Sequence, residues 1–181
     1  KSRQQKLKDH VEQQVASAQV EKGIFQVITG NGKGKSTSGF GVVTRCVGYG
    51  KKAAVVQFIK GEWECGERLL LEKAGVPFSV MRTGFTWDTQ DREADTLAAQ
   101  ATWKEALKYL KDETIDVVLL DELTYMVSYK YLDLSEVLNA IEARPKMQSV
   151  IVTGRAAHRE LIERADTVSE VKNIKHAFDS G

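Results

Sequence analysis

The chain carries almost no net charge, no long apolar run and very little cysteine or histidine. Lys and Arg number 26 against 25 Asp and Glu, a formal net charge of +1 over 181 residues. So even a balance excludes the global basic field that nucleic-acid binding usually needs, and leaves only local clusters such as Lys1–Lys8. No apolar stretch approaches the length of a membrane span, and no charged-then-apolar signal segment opens the sequence. Cys46 and Cys65 stand 19 residues apart without a C-x-x-C pair, and His10, His158 and His176 are scattered. Neither a zinc centre nor a redox dithiol has that spacing. Two idle thiols in a reducing cytoplasm is the expectation, with no nucleic acid and no membrane as partner. Internal repeats and low-complexity linkers are lacking as well.

What is present is enough for one domain. The apolar fraction is 42% and the charged fraction 28%, which suits a single core beneath a polar surface. Residues 1–22 are rich in Gln, Lys and Glu, with Leu7, Val11, Val15 and Ala18 at helical spacing. So thin an apolar stripe predicts a helix that docks on something else, either its own domain or a second subunit. From residue 23 to 181 the pattern alternates. Strands are expected at 23–29, 53–59, 77–81, 115–120, 149–154 and 166–171, and helices at about 35–47, 67–74, 88–111, 135–143 and 156–165. Continuous Val/Ile/Leu runs indicate strands covered on both faces. The predicted fold is therefore α/β, a doubly wound, mostly parallel sheet of five to six strands. In the long helix, Ala94, Leu97, Ala98 and Ala101 share one face and Trp103, Ala106, Leu107 and Leu110 the opposite one. Either that helix packs on two sides or it bends near residue 102.

The chemistry concentrates in TGNGKGKST at 29–37. A phosphate loop has four residues between its glycines, G-x-x-x-x-G-K-[ST]; here Gly30 and Gly34 are separated by three, Asn31, Gly32 and Lys33. The context is nonetheless that of a phosphate loop, after a predicted strand and before a predicted helix. Glycines let backbone N–H groups close around phosphate oxygens, and the helix N-terminus adds partial positive charge. Lys35 supplies a full charge, and the Ser36 hydroxyl is placed for Mg²⁺. The bland alternative is a glycine-rich turn with two exposed lysines. IDVVLLDE puts Asp121 and Glu122 at the C-terminal end of a hydrophobic strand, where phosphate-loop proteins keep a metal-binding or water-ordering carboxylate. TGR at 153–155 brings Arg155 to the same edge, within reach of a phosphate. No water-positioning Gln or acceptor motif stands out, so nucleotide binding is indicated and ordinary ATP hydrolysis is not.

Taken together, GNGKGKST, VVQFIKG (55–61), TGFTWDTQDREAD (83–95), VVLLDELTYMV (117–127), SVIVTGR with His158, and ADTVSEV through KHAFDSG resemble the bacterial ATP:corrinoid adenosyltransferases of the short-loop, RecA-like type. The resemblance spans nearly the whole chain, with Ser36 where that family usually has Thr. It implies transfer of the 5′-deoxyadenosyl group of ATP to Co(I) of a corrinoid, cobalamin or cobinamide, with triphosphate leaving. It further implies that Gly30 and Asn31 to Thr37, with Lys35 and Arg155, bind the triphosphate. Ser36 and Glu122 would hold Mg²⁺ (or Mn²⁺), with Asp121 orienting Glu122 or a metal-bound water. Phe85 and Trp87 are assigned to the lower corrin face, where two aromatics exclude water and the displaced axial base; read without the resemblance, core packing is the better reading of both. A reduced flavodoxin-like electron donor, a homodimer and an N-terminal helix folded over the corrinoid complete the implication. An NTP hydrolase or small-molecule kinase on the same fold is the alternative that the loop alone permits, and a non-catalytic nucleotide-binding module the third.

Overall fold

A computed structural model describes residues 2–59, 64–82 and 91–181. Six strands form one sheet: β1 (Phe25–Thr29), β2 (Ala53–Gln57), β3 (Phe78–Val80), β4 (Val117–Asp121), β5 (Ser149–Thr153) and β6 (Thr167–Glu170). Their order is β3-β2-β4-β5-β1-β6, and every pairing is parallel. Parallel neighbours need crossover connections, and the helices supply them. The helices are α1 (Arg3–Ser17), α2 (Lys35–Gly48), α3 (Gly66–Lys73), α4 (Arg92–Lys111), α5 (Leu123–Ser128), α6 (Leu134–Glu142) and α7 (Arg159–Arg164), with a 3₁₀ turn at Ala177–Ser180.

Side-chain alternation along the strands divides the core in two. Val27, Val56, Val118, Leu120 and Val152 point toward α4, α5, α6 and α7, where Trp103, Met126, Leu138 and Leu161 meet them. Ile28, Val55, Leu119 and Ile151 point the other way, against Phe40 and Val43 of α2 and Leu71 of α3. Central strands β2 and β4 are buried at every position, as continuous apolar runs require of a sheet covered on both faces. The doubly wound expectation therefore holds. Among the described residues no helix is long and apolar enough to cross a membrane.

Because all the strands are parallel, their C-terminal ends lie along one edge of the sheet. The glycine loop after β1, Asp121 and Glu122 after β4, and Thr153 to Arg155 after β5 share it. Strand β5 lies between β1 and β4, so the TGR turn stands between the loop and the acidic pair. Phe85 and Trp87, expected at the corrin face, lie outside the described residues.

Three elements differ from the sequence reading. α4 needs neither a second packed side nor a break. It buries a single face of Asp95, Ala99, Thr102, Trp103, Ala106 and Leu110, while Leu97 is 61% exposed. The apolar pattern misleads because polar groups on the buried face are satisfied there. The Thr102 hydroxyl donates to the Ala98 carbonyl at 2.9 Å, and Asp95 accepts a hydrogen bond from Tyr131. α7 starts later than expected, because Gly154 and Ala156 take positive φ of 138° and 48° and His158 then caps the helix through Glu160 N–H. α5 was not anticipated. Helix α1 buries none of its residues; Leu7, Val11 and Val15 are 64%, 47% and 70% exposed. Of the two docking partners expected for its stripe, its own domain is not used.

One-sided packing of α4 makes a direct test. Trp103, 2% exposed, also donates from Nε1 to Glu136 Oε1 at 2.9 Å. Replacing it with Ala should cost about 3–5 kcal/mol of stability in chemical denaturation. Leu97→Ala should stay within about 0.5 kcal/mol of the parent. Equal losses would mean that both faces are packed.

Candidate functional site

The short loop is seated against the chain that leaves β6. Val171 N–H donates to the Thr29 carbonyl and Gly32 N–H to the Val171 carbonyl, each at 2.8 Å. A Cβ on Gly32 would lie 2.5 Å from the Lys172 carbonyl oxygen, so only glycine fits that approach. Gly34 takes φ of 110° at the N-cap of α2 and offers no side-chain cap. The first-turn N–H groups of the helix are thereby left for a ligand, at the end where the helix dipole favours an anion.

Lys35 follows at once, 8% exposed, and its Nζ donates to the Gly32 carbonyl at 2.7 Å. Burial pushes its ammonium below the ordinary value of 10.5; Arg155 and Lys33 push the same way, while Glu122 and Asp121 oppose them. An ammonium held beside two other cations in a half-dry pocket is poised for an anion that would neutralise all three.

The acidic pair divides its work. Asp121 is fully buried. Its Oδ1 accepts from Thr153 Oγ1 at 2.7 Å and its Oδ2 from Gln57 Nε2 at 3.2 Å. The Thr153 hydroxyl in turn accepts from Glu122 N–H at 3.0 Å. Glu122 itself sits at φ 63° and ψ 23°, a left-handed conformation that costs a non-glycine residue about 1 kcal/mol or more. That turn swings the chain from β4 straight into α5 and brings Glu122 to the pocket.

A pocket of about 270 Å³ results, lined by Gly32–Thr37 with Glu67, Glu122, Tyr125 and Arg155. It gathers most of the expected site: Gly32, Lys33, Gly34, Lys35, Ser36, Thr37, Glu122 and Arg155. Gly30 and Asn31 lie just ahead of its lining, and Asp121 lies beneath it. Sequence reasoning did not single out four residues here. Gln57 and Thr153 hold Asp121, and Glu67 and Tyr125 line the pocket itself. Thr153 stood within the TGR motif, and Tyr125 one helical turn after Glu122. Glu67 had no local signal, since only the fold brings α3 to the loop. Among the described residues no three His, Cys, Asp or Glu side chains gather as a metal cluster. A divalent ion here would rest on one or two protein ligands and on phosphate oxygens, which is the habit of Mg²⁺.

The family model for ATP:corrinoid adenosyltransferases (BtuR/CobO/CobP) matches residues 21–181. The chain belongs to that family. It is 60% identical over 179 residues to the corrinoid adenosyltransferase of Escherichia coli K12, covering 99% of this chain and 91% of that one. The Salmonella typhimurium enzyme is 59% identical over the same shares. The Pseudomonas aeruginosa enzyme is 46% identical over 183 residues, covering 100% and 90%. Among solved structures, domain III of the Thermotoga maritima replication initiation protein DnaA is similar at a TM-score of 0.44 and 10% identity, covering 94% of this chain and 63% of that one; so distant a likeness does not bear on the site. As a corrinoid adenosyltransferase, the protein is an enzyme that adenosylates a corrinoid at the expense of ATP. The family and the activity expected from the short loop and its companion motifs are borne out.

The state of Lys35 has a measurable consequence for this adenosyltransferase. A triphosphate held in this pocket would favour the charged ammonium, so ATP affinity should then fall as pH rises through the depressed Lys35 pKa of the free enzyme, below 10.5. With the folded pKa below the unfolded one, the unfolded state holds more protons in that window, and stability of the free protein should rise there. Calorimetric titration with MgATP at increasing alkaline pH reads the first effect. Lys35→Arg, whose guanidinium stays charged, should flatten the profile.

Proposed function

We propose that the pocket holds the triphosphate of ATP while a corrinoid cobalt, reduced to Co(I), attacks the 5′ carbon of the nucleotide. The cobalt electron pair forms the Co–C bond. The C5′–O bond breaks, and its electron pair leaves with inorganic triphosphate. No phosphoanhydride is cleaved, so no water has to be aligned on a γ-phosphate. The observation that carries this reading is the convergence of Lys33, Lys35, Arg155 and an uncapped helix N-terminus on one pocket, in a chain of this family. Those groups stabilise the charge that grows on the leaving triphosphate more than they stabilise bound ATP, which is the condition for accelerating the chemical step.

Gly30 and Asn31 to Thr37 wrap the triphosphate, with Lys35 exchanging the Gly32 carbonyl for a phosphate oxygen. Mg²⁺ (or Mn²⁺) fits the donors present, since the Ser36 hydroxyl and the Glu122 carboxylate line the same pocket. When bound, the ion neutralises part of the triphosphate charge. Asp121 acts from below, by fixing the Glu122 backbone through Thr153. Phe85 and Trp87 cover one corrin face, so that the axial base is displaced and the cobalt becomes four-coordinate and easier to reduce. A reduced flavodoxin-like protein supplies the electron, in the cytoplasm. The exposed stripe of α1 closes over the corrinoid site of a homodimer, which gives Leu7, Val11 and Val15 something to bury.

Incubated anaerobically with chemically reduced cobalamin and MgATP, the protein should yield light-sensitive adenosylcobalamin and one equivalent of triphosphate. Glu122→Gln should raise the Mg²⁺ needed for half-maximal rate on the order of tenfold. ADP and phosphate with Co(I) untouched would instead make the protein a hydrolase or kinase. Removing residues 1–20 should weaken corrinoid binding in a titration and spare MgATP. Equal loss of both would remove the role given to α1.

A further inference from the structure

Beside the triphosphate pocket stands a column of aromatic rings that none of the roles above uses. Tyr125, on α5, lines the pocket with Glu122 and Arg155. Its ring stacks on Tyr129, centroids 6.1 Å apart and planes 10° from parallel. Tyr129 stacks on Tyr131 at 5.9 Å and 25°. The Arg92 guanidinium closes the far end, 5.4 Å from the centre of the Tyr131 ring, and its Nη2 donates to the Tyr129 carbonyl at 2.9 Å. Tyr131 is buried and bonded to Asp95. The column is thus anchored at its base in the core and at its side by the first residue of α4.

Stacking of this kind fixes ring planes at small entropic cost, because a tyrosine has only two side-chain torsions. Tyr125 and Tyr129 lie one turn apart on the same helix face, so holding Tyr129 holds Tyr125. At the pocket end the phenol shares the lining with Glu122 and Arg155, and a phenol hydroxyl there is a hydrogen-bond donor. Three cations and a helix N-terminus supply charge to the pocket, but Lys33 and Arg155 are exposed side chains. A neutral donor on a rigid support would add a further directional contact.

We propose that Tyr125 is a nucleotide-contacting residue of this enzyme, its hydroxyl donating to a phosphate oxygen of the triphosphate, and that the Tyr129–Tyr131–Arg92 stack is the support that positions it. The inference rests on the triphosphate occupying this pocket. Arg92, Tyr129 and Tyr131 are positioning residues in this scheme and touch no substrate.

Equilibrium titrations of the full chain with MgATP, with inorganic triphosphate and with adenosine test it. Tyr125→Phe should weaken MgATP and triphosphate alike, by about 3- to 10-fold as the loss of one hydrogen bond implies, and leave adenosine unchanged. Tyr129→Leu, outside the pocket, should weaken the same two ligands by a smaller factor. In the Tyr125→Phe background it should add little, because the hydroxyl it positions is gone. The nucleotide-free unfolding midpoint of Tyr125→Phe should match that of the parent. Affinities within twofold of the parent in Tyr125→Phe would overturn the proposal. So would a loss confined to MgATP with triphosphate unaffected, which would place the contact on the nucleoside, or a fully additive Tyr129→Leu effect, which would make the stack a merely structural element. Failure of the unaltered protein to bind either MgATP or triphosphate would instead defeat the occupancy of the pocket itself, and this inference with it.

Discussion

The Thr153 hydroxyl is the hinge of the site. It donates to the buried Asp121 carboxylate and accepts from Glu122 N–H, joining the ends of two adjacent strands. Without a partner of that kind, a fully buried carboxylate would be left with unsatisfied oxygens, at a cost in stability. With Gln57 on its other oxygen, Asp121 becomes a fixed point in the sheet. Glu122 is then held in a left-handed turn it would not otherwise favour, and that turn decides both where its carboxylate goes and where α5 begins. Tyr125 enters the pocket as a consequence, since it lies three residues into the chain so directed.

On the other side of the pocket, the short loop follows a related logic. It gains a support in place of the missing residue: the backbone at Val171 and Lys172 takes the loop's weight through Gly32. Lys35 folds back onto the loop's own carbonyl, so the pocket is closed on itself until an anion competes. Its lowered affinity for protons comes first from its burial, and Arg155 and Lys33 add repulsion that Glu122 and Asp121 oppose. An anionic ligand in this pocket would relieve that repulsion.

Much of this was legible in the linear chain. Uninterrupted apolar runs announced β2, β4 and β5, and the glycine, lysine and hydroxyl spacing announced the loop, because these signals are local and each has one mechanical meaning. Motif spacing likewise pointed to Lys35, Ser36, Glu122 and Arg155 as neighbours, and they line one pocket. The face of α4 was not legible. Asp95 and Thr102 look like solvent residues until Tyr131 and the Ala98 carbonyl are seen to satisfy them, and Leu97 looks like core until nothing is found above it. Helix α5 was hidden inside VVLLDELTYMV, where no glycine or proline marks the turn.

By itself, then, the sequence determined the strand and helix alphabet, the phosphate loop and the class of chemistry, since hydrophobic period and glycine placement act over a few residues. Only the tertiary structure decided that β5 lies between β1 and β4. From that placement comes the Thr153 bridge, and through it the hold on the left-handed Glu122; the winding likewise brings Glu67 of α3 to the loop and Arg92 of α4 to the Tyr131 ring. Each joins residues tens of positions apart, and such pairings are set by how a parallel sheet is wound rather than by any stretch of the chain that could be read alone.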